Sequence, residues 1–80
     1  MTFVAECFWP GLQRDAVNEL AERIRGIAAG LAGVRLTGTL LLPADEVVFF
    51  LFDGDSADAV RDACVRARVP FERVLESVAL

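Results

Sequence analysis

The sequence EVVFFLF, residues 46–52, decides how this chain folds. Its valines and phenylalanines are typical of a β-strand, and the Asp-Gly pair that follows is a stop signal. Alternate side chains of a strand point to opposite faces of the sheet. Residues 47–52 contain no polar side chain, so two or three large apolar groups point to each face in either register. Leaving each one in water forfeits about 1.5–3 kcal/mol, and we therefore expect both faces of this strand to be covered.

The sequence on either side of this strand predicts a small α+β fold. Residues 34–42 form a second strand, and Pro43-Ala44-Asp45 suits the turn of an antiparallel hairpin. Upstream, we predict a strand at 2–9, which Pro10-Gly11 ends, and a helix from about 13 to 29 with an apolar stripe.

Downstream of the hairpin, Asp55 or Ser56 caps a second helix, which ends before Pro70, and the last strand covers about 73–78. The element order β-α-β-β-α-β predicts one ferredoxin-like domain over residues 1–80. Its antiparallel sheet has the order 4-1-3-2, with both helices on one face. One face of the sheet then remains without helices, and packing it against a second copy gives a dimeric α/β barrel.

The composition excludes several kinds of catalysis. The 80 residues contain no His, no Lys and no Tyr, and all eight basic residues are Arg. Schiff-base chemistry on lysine, Ser-His-Asp triads and histidine metal sites are therefore excluded. A general base must be a carboxylate, a thiolate, the terminal amine or water. Cys7 and Cys64 are expected to be buried and reduced, with a disulfide between them as the alternative.

Other features concern partners and location. The net charge of −4 and the pI near 4.6 disfavour a nucleic-acid partner. No apolar run approaches the roughly 18 residues of a membrane span, and no signal peptide is visible, so we predict a cytoplasmic protein without membrane contact. Phosphate-binding glycine motifs are absent, and no cofactor is predicted. The 55% hydrophobic composition instead favours a homodimer, with a small apolar ligand as a possible second partner.

Six side chains are candidates for a site on the face without helices. Alternation places Glu6 of strand one, together with Arg35, Thr37 and Thr39 of strand two, on that face. Glu76 of strand four is expected beside Glu6, because strands one and four are neighbours. A carboxylate in apolar surroundings is suited to proton transfer, so Glu6 is the candidate catalytic residue and the others are candidate ligand contacts. Trp9, at the end of strand one, is a further candidate for ligand stacking.

Each candidate also has a structural interpretation. Arg35 can form an ion pair with a carboxylate, and Glu76 on an edge strand can simply be solvated. The threonines are ordinary strand residues, and Trp9 can fix the corner between strand and helix. A divalent cation held by carboxylate oxygens is another alternative for Glu6 and Glu76.

The chain resembles a small bacterial family of ferredoxin-like, dimeric α/β-barrel domains. The resemblance is carried by AECFWPGL at 5–12, VRLTGT at 34–39, DEVVFFLFDG at 45–54 and VPFERVLESV at 69–78. The best-described type in that family is a nickel-binding homodimer, and by resemblance Glu6 and Glu76 occupy positions of strand carboxylates. Gly38 and Phe50 depart from the family pattern, and the absence of His excludes nitrogen ligands, so nickel is not predicted here.

Three functions are compatible with these observations. The first is a dimeric domain that binds a small, largely apolar molecule in a cavity bordered by the sheet, with proton transfer by Glu6 if it is catalytic, as in an isomerase or cyclase. The second is a non-catalytic module whose apolar sheet face serves only oligomerisation. The third is a protein that binds a divalent metal. The sequence leaves open whether the chain is an enzyme.

Overall fold

A computed structural model describes the whole chain, Met1–Leu80. The strands are β1 (Thr2–Phe8), β2 (Val34–Leu42), β3 (Val47–Gly54) and β4 (Arg73–Ser77), and the helices are α1 (Arg14–Ala29) and α2 (Ala57–Arg66). The strands form one antiparallel sheet in the order β2-β3-β1-β4. The predicted ferredoxin-like βαββαβ topology is confirmed. Neither helix has the length and apolar composition that crossing a membrane would require.

Local chemistry explains where the elements begin and end. The Ser56 hydroxyl accepts a hydrogen bond from the Ala59 N–H and caps α2, as predicted.

β3 begins at Val47 rather than at residue 46, because Glu46 lies in the hairpin turn with a positive φ of 56°. β3 continues through the predicted Asp-Gly stop to Gly54, whereas β1 ends at Phe8 rather than Trp9 and β4 ends at Ser77 rather than at residue 78. Gly33, between α1 and β2, has a φ of 77°, and a Cβ there would collide with the Asp55 carboxylate.

The core lies between the sheet and the two helices. In β3, Val48, Phe50 and Phe52 are completely or almost completely buried on this side. β1 contributes Phe3, Ala5 and Cys7 to the same side, and the helices contribute Val17, Leu20, Ala21, Ile24, Val60 and Cys64. The molecule is only 18 Å thick in its shortest dimension. This is the thickness of one sheet and one helix layer, so the other side of the sheet is uncovered within a single chain.

The two cysteines are free and buried, in agreement with the sequence prediction. Burial raises the pKa of Cys64 to about 12. Burial also raises the pKa of Cys7 to about 12, with smaller contributions from the nearby Cys64, Glu72 and Glu6. Both thiols are therefore protonated and poorly reactive in the folded protein at neutral pH.

We predict that alkaline pH destabilises the fold through these two thiols. Between pH about 9 and about 12 the unfolded chain loses thiol protons that the folded chain retains, so the free energy of unfolding falls as the pH rises. The chain has no Lys and no Tyr, the other residue types whose ordinary pKa values fall in this window. Urea unfolding of the wild type at a series of pH values measures the decline.

The control is the double variant Cys7→Ala with Cys64→Ala. It should be less stable at neutral pH because of the smaller side chains, but its stability should be nearly constant across the same window. A decline of equal slope in the double variant would show that the thiols are not its cause.

Candidate functional site

The side of the sheet opposite the helices, called the open face below, is largely apolar. By register it carries Val4, Glu6 and Phe8 of β1, Val47, Phe49 and Leu51 of β3, Leu40 and Leu42 of β2, and Arg73 and Leu75 of β4. Phe8 is 52% exposed, Leu40 53% and Leu75 39%, so three large apolar side chains of one face are accessible to water. The expectation that β3 is apolar on both faces is confirmed.

A shallow cleft crosses the centre of the open face. Its volume is about 350 Å³, and five apolar residues line it: Val4, Leu40, Phe49, Leu51 and Leu75. Glu6 lies at the same cleft and contributes a carboxylate, while Glu76 and Ser77 border it at the β4 edge. The cleft is therefore an apolar surface with a few polar groups at its border, which is the composition of many small-molecule sites.

Glu6 is held by an arginine that the sequence analysis did not single out. The register pairs Glu6 with Arg73 of β4, and Arg73 Nε donates a hydrogen bond of 3.1 Å to Glu6 Oε1. The Glu6 side chain is 26% exposed and that of Arg73 61% exposed. An ion pair with this exposure contributes roughly 0–1 kcal/mol to stability, so its main effect is to fix the direction of the carboxylate.

Glu76 is not the cross-strand neighbour of Glu6 that we predicted. It lies opposite Phe3, one of the core residues, which places it on the helix side of the edge strand, where it is exposed. The sequence Arg73-Val74-Leu75-Glu76 puts one apolar residue on each face, so alternation alone did not determine which face turns inward. The register observed buries Val74 opposite Ala5.

A β-bulge in β2 corrects the placement of the threonines. Leu36 lies opposite Phe52 and Gly38 opposite Leu51, so Thr37 is an extra residue between them. The Thr37 hydroxyl donates to the Leu51 carbonyl at 3.2 Å across the bulge.

The bulge reverses the alternation for the rest of the strand. Leu40 and Leu42 face the open side, and Thr39 turns to the helix side, opposite Phe50. The prediction that Thr39 lies on the open face is wrong. Its hydroxyl oxygen is buried there and has no hydrogen-bond partner.

Arg35 and Trp9 also lie away from the cleft. Arg35 is on the open face but at its far end, where its guanidinium forms a 2.8 Å ion pair with Asp53. Trp9 is half-buried against the core, and its backbone N–H donates to the Glu46 carbonyl at 2.9 Å. The structure thus brings Glu6 to the cleft, with Glu76 at its β4 edge, and leaves Arg35, Thr37, Thr39 and Trp9 outside its lining.

Glu46 is a second residue that sequence reasoning missed. Its carboxylate accepts a hydrogen bond of 2.6 Å from the Gly11 N–H, and its carbonyl accepts from Trp9. It therefore connects the β2–β3 turn to the segment between β1 and α1. No sequence signal indicated this role, because a glutamate rarely adopts the left-handed conformation found here.

No group of three His, Cys, Asp or Glu side chains lies together as a metal site would require. Glu6 and Glu76 both border the cleft, but the register turns them to opposite sides of the sheet, and Glu6 is paired with Arg73 instead.

Comparisons with known proteins identify the fold. No protein-family model matches the chain, and no curated protein matches it. Among solved structures, the crystal structure of SCO4226 from Streptomyces coelicolor A3(2) is similar, with a TM-score of 0.88 and 18% sequence identity. The match covers 100% of this chain and 99% of that one. A likeness at this identity establishes the ferredoxin-like fold and transfers no activity.

We predict that Thr39→Val raises the free energy of unfolding by about 1 kcal/mol, because it replaces a buried, unpaired hydroxyl with a methyl group of similar shape. Urea denaturation measures the change. The matched control is Thr37→Val, which removes a hydroxyl that is hydrogen-bonded and should lower the stability by about 0.5 kcal/mol. A loss of stability in Thr39→Val would mean that its hydroxyl is satisfied in solution.

Proposed function

We propose that this protein is a homodimer, assembled through the open face, that binds a small apolar molecule beside Glu6. The observation that carries the proposal is the central cleft of five apolar side chains beside the Glu6 carboxylate, which Arg73 holds in place. A second open face laid over the first would convert the two shallow clefts into an enclosed space. In this proposal, two copies of the ferredoxin-like domain pack sheet against sheet and form a dimeric α/β barrel.

The energetic argument for the dimer rests on the apolar side chains of the open face. Phe8, Leu40 and Leu75 are all more than one-third exposed in the single chain. Face-to-face packing removes the surface of these side chains from water, which stabilises the dimer by about 25 cal/mol per Å² of buried apolar area. A two-fold axis places the same apolar surface of the second chain against the first. The charged residues of this face enter the interface as the pairs Glu6–Arg73 and Arg35–Asp53, so packing buries no unpaired charge.

Glu6 gives the proposed site its chemistry. An ionised carboxylate is a hydrogen-bond acceptor only, so it orients a ligand through a hydroxyl or another donor group. If the ligand is also a substrate, the same carboxylate accepts a proton from it, and apolar walls exclude competing water. The class of reaction consistent with these groups is an isomerisation, cyclisation or dehydration that needs no cofactor.

A purely structural role is the second candidate, favoured by the shallowness of the cleft within one chain. In that case the open face serves oligomerisation and encloses no ligand. Nickel binding, the property of the best-described member of the family that the sequence resembles, is not part of the proposal, since the chain has no His and no cluster of three ligands.

The dimer is tested by Leu40→Glu. Leu40 is half-exposed in the single chain, so the substitution should leave the monomer folded, whereas in the dimer it would bury an unpaired charge. We expect dimer dissociation to become easier by at least about thirtyfold, equivalent to about 2 kcal/mol, measured by analytical ultracentrifugation.

The matched control is Val65→Glu. Val65 is 64% exposed on α2, away from the open face, so the same change of charge there should leave the dimer intact. Equal dissociation in both variants, or a dimer that survives Leu40→Glu, would contradict assembly through this face.

Ligand binding is tested by thermal shift with small aromatic and terpenoid-like molecules, using a naphthol as the probe with a hydroxyl donor. A ligand specific to the native state raises the melting temperature. We expect Glu6→Gln to weaken binding of the naphthol about tenfold, the effect of losing one charged hydrogen bond. Glu19→Gln, which makes the same change on the exposed side of α1 and away from the open face, should bind like the wild type.

Two results would decide against this part of the proposal. Equal affinity in Glu6→Gln and the wild type would remove the carboxylate from the site. A dimer that responds to none of the molecules would favour the structural role.

A further inference from the structure

A second cavity lies on the helix side of the sheet, between the first turns of α1 and the end of β2. Its volume is about 300 Å³, and its lining residues are Arg14, Val17, Asn18, Thr39, Leu41 and Pro43. None of these residues lines the cleft of the open face. The two cavities are therefore separate sites on opposite sides of the sheet.

The polar groups of this cavity have no partners within the chain. Five arginines form ion pairs with carboxylates, and Arg23 donates to the Ala67 carbonyl. The side chains of Arg14 and Asn18 are exposed and form no hydrogen bond or ion pair within the chain. The Thr39 hydroxyl oxygen is buried and unpaired. A buried polar atom without a partner is uncommon in a native structure and requires an explanation, of which a ligand is one.

The charge around the cavity favours an anion. No carboxylate is among its lining residues, although the chain has twelve acidic residues. Of the acids within three residues of this lining, Asp15, Glu19 and Asp45 are exposed, and the Glu46 carboxylate is already bonded to the Gly11 N–H. Arg14 is the first residue of α1, where a cation is unfavourable to the helix dipole. A cation at a position that local helix chemistry disfavours is the kind of departure expected at a functional site.

We propose that this cavity binds a small carboxylate with an apolar body. Arg14 pairs with the carboxylate, the Asn18 amide and the Thr39 hydroxyl donate further hydrogen bonds, and Val17, Leu41 and Pro43 contact the apolar part. A volume of about 300 Å³ is at the lower end of the range of ligand pockets, which suits a single ring or a short chain.

Benzoate is the probe, titrated into the intact protein and followed by thermal shift and by amide chemical shifts in NMR. We expect benzoate to raise the melting temperature and to perturb the amides around residues 14–18 and 39–43. Benzamide, which has the same shape without the charge, should bind at least about tenfold more weakly. Arg14→Gln should weaken benzoate binding about tenfold, and Arg25→Gln, the same change farther along α1, should leave it unchanged.

Thr39→Val distinguishes a role of the Thr39 hydroxyl in binding from a purely structural role. It should raise the melting temperature of the protein alone and yet reduce its affinity for benzoate several-fold. The proposal is overturned if benzoate causes no shift, if benzamide binds equally well, or if Arg14→Gln binds like the wild type. Amide perturbations confined to β1 and β4 would assign the probe to the open face and would equally refute the cavity as its site.

Discussion

The structure depends on one constraint: a single layer of helices covers only one face of a sheet whose central strand β3 is apolar on both. Val48, Phe50 and Phe52 meet the helices and form the centre of the core. Val47, Phe49 and Leu51 point the other way and have only the neighbouring strands beside them. Because β3 lies between β2 and β1, its exposed side chains occupy the middle of the open face rather than an edge. The same strand thus builds the core and creates the surface that the proposed function uses.

The bulge at Thr37 makes the open face more apolar than simple alternation would. Without it, Leu40 and Leu42 would face the helices and Thr39 would face outward. With it, the leucines join Phe49 and Leu51 on the open face, and the displaced threonine places a hydroxyl in the cavity beside α1. One extra residue therefore supports both proposed sites, since it completes an apolar surface on one side of the sheet and supplies a polar group on the other.

Most of the fold was predictable from the sequence, and less of the site was. Periodicity and stop signals identified all six elements and their order, because strands and helices of this length carry strong patterns. The placement of Thr39 was wrong because a bulge leaves no clear mark in a stretch such as LTGTLLL. The placement of Glu76 was wrong because β4 has an apolar residue on each face, and only the pairing with β1 selects Val74 as the buried one. Arg73 was missed for the same reason, whereas Glu6 was placed correctly because Phe3, Ala5 and Cys7 clearly mark the buried face of β1.

The central claim is that the open face is covered in solution by a second copy of the chain. The most direct measurement is the melting temperature of the unmodified protein as a function of its concentration, combined with its mass by light scattering. Dimerisation linked to folding predicts twice the 8.7 kDa mass of the chain and a melting temperature that rises with concentration. A monomer that is well folded at every concentration, with a constant melting temperature, would contradict the account.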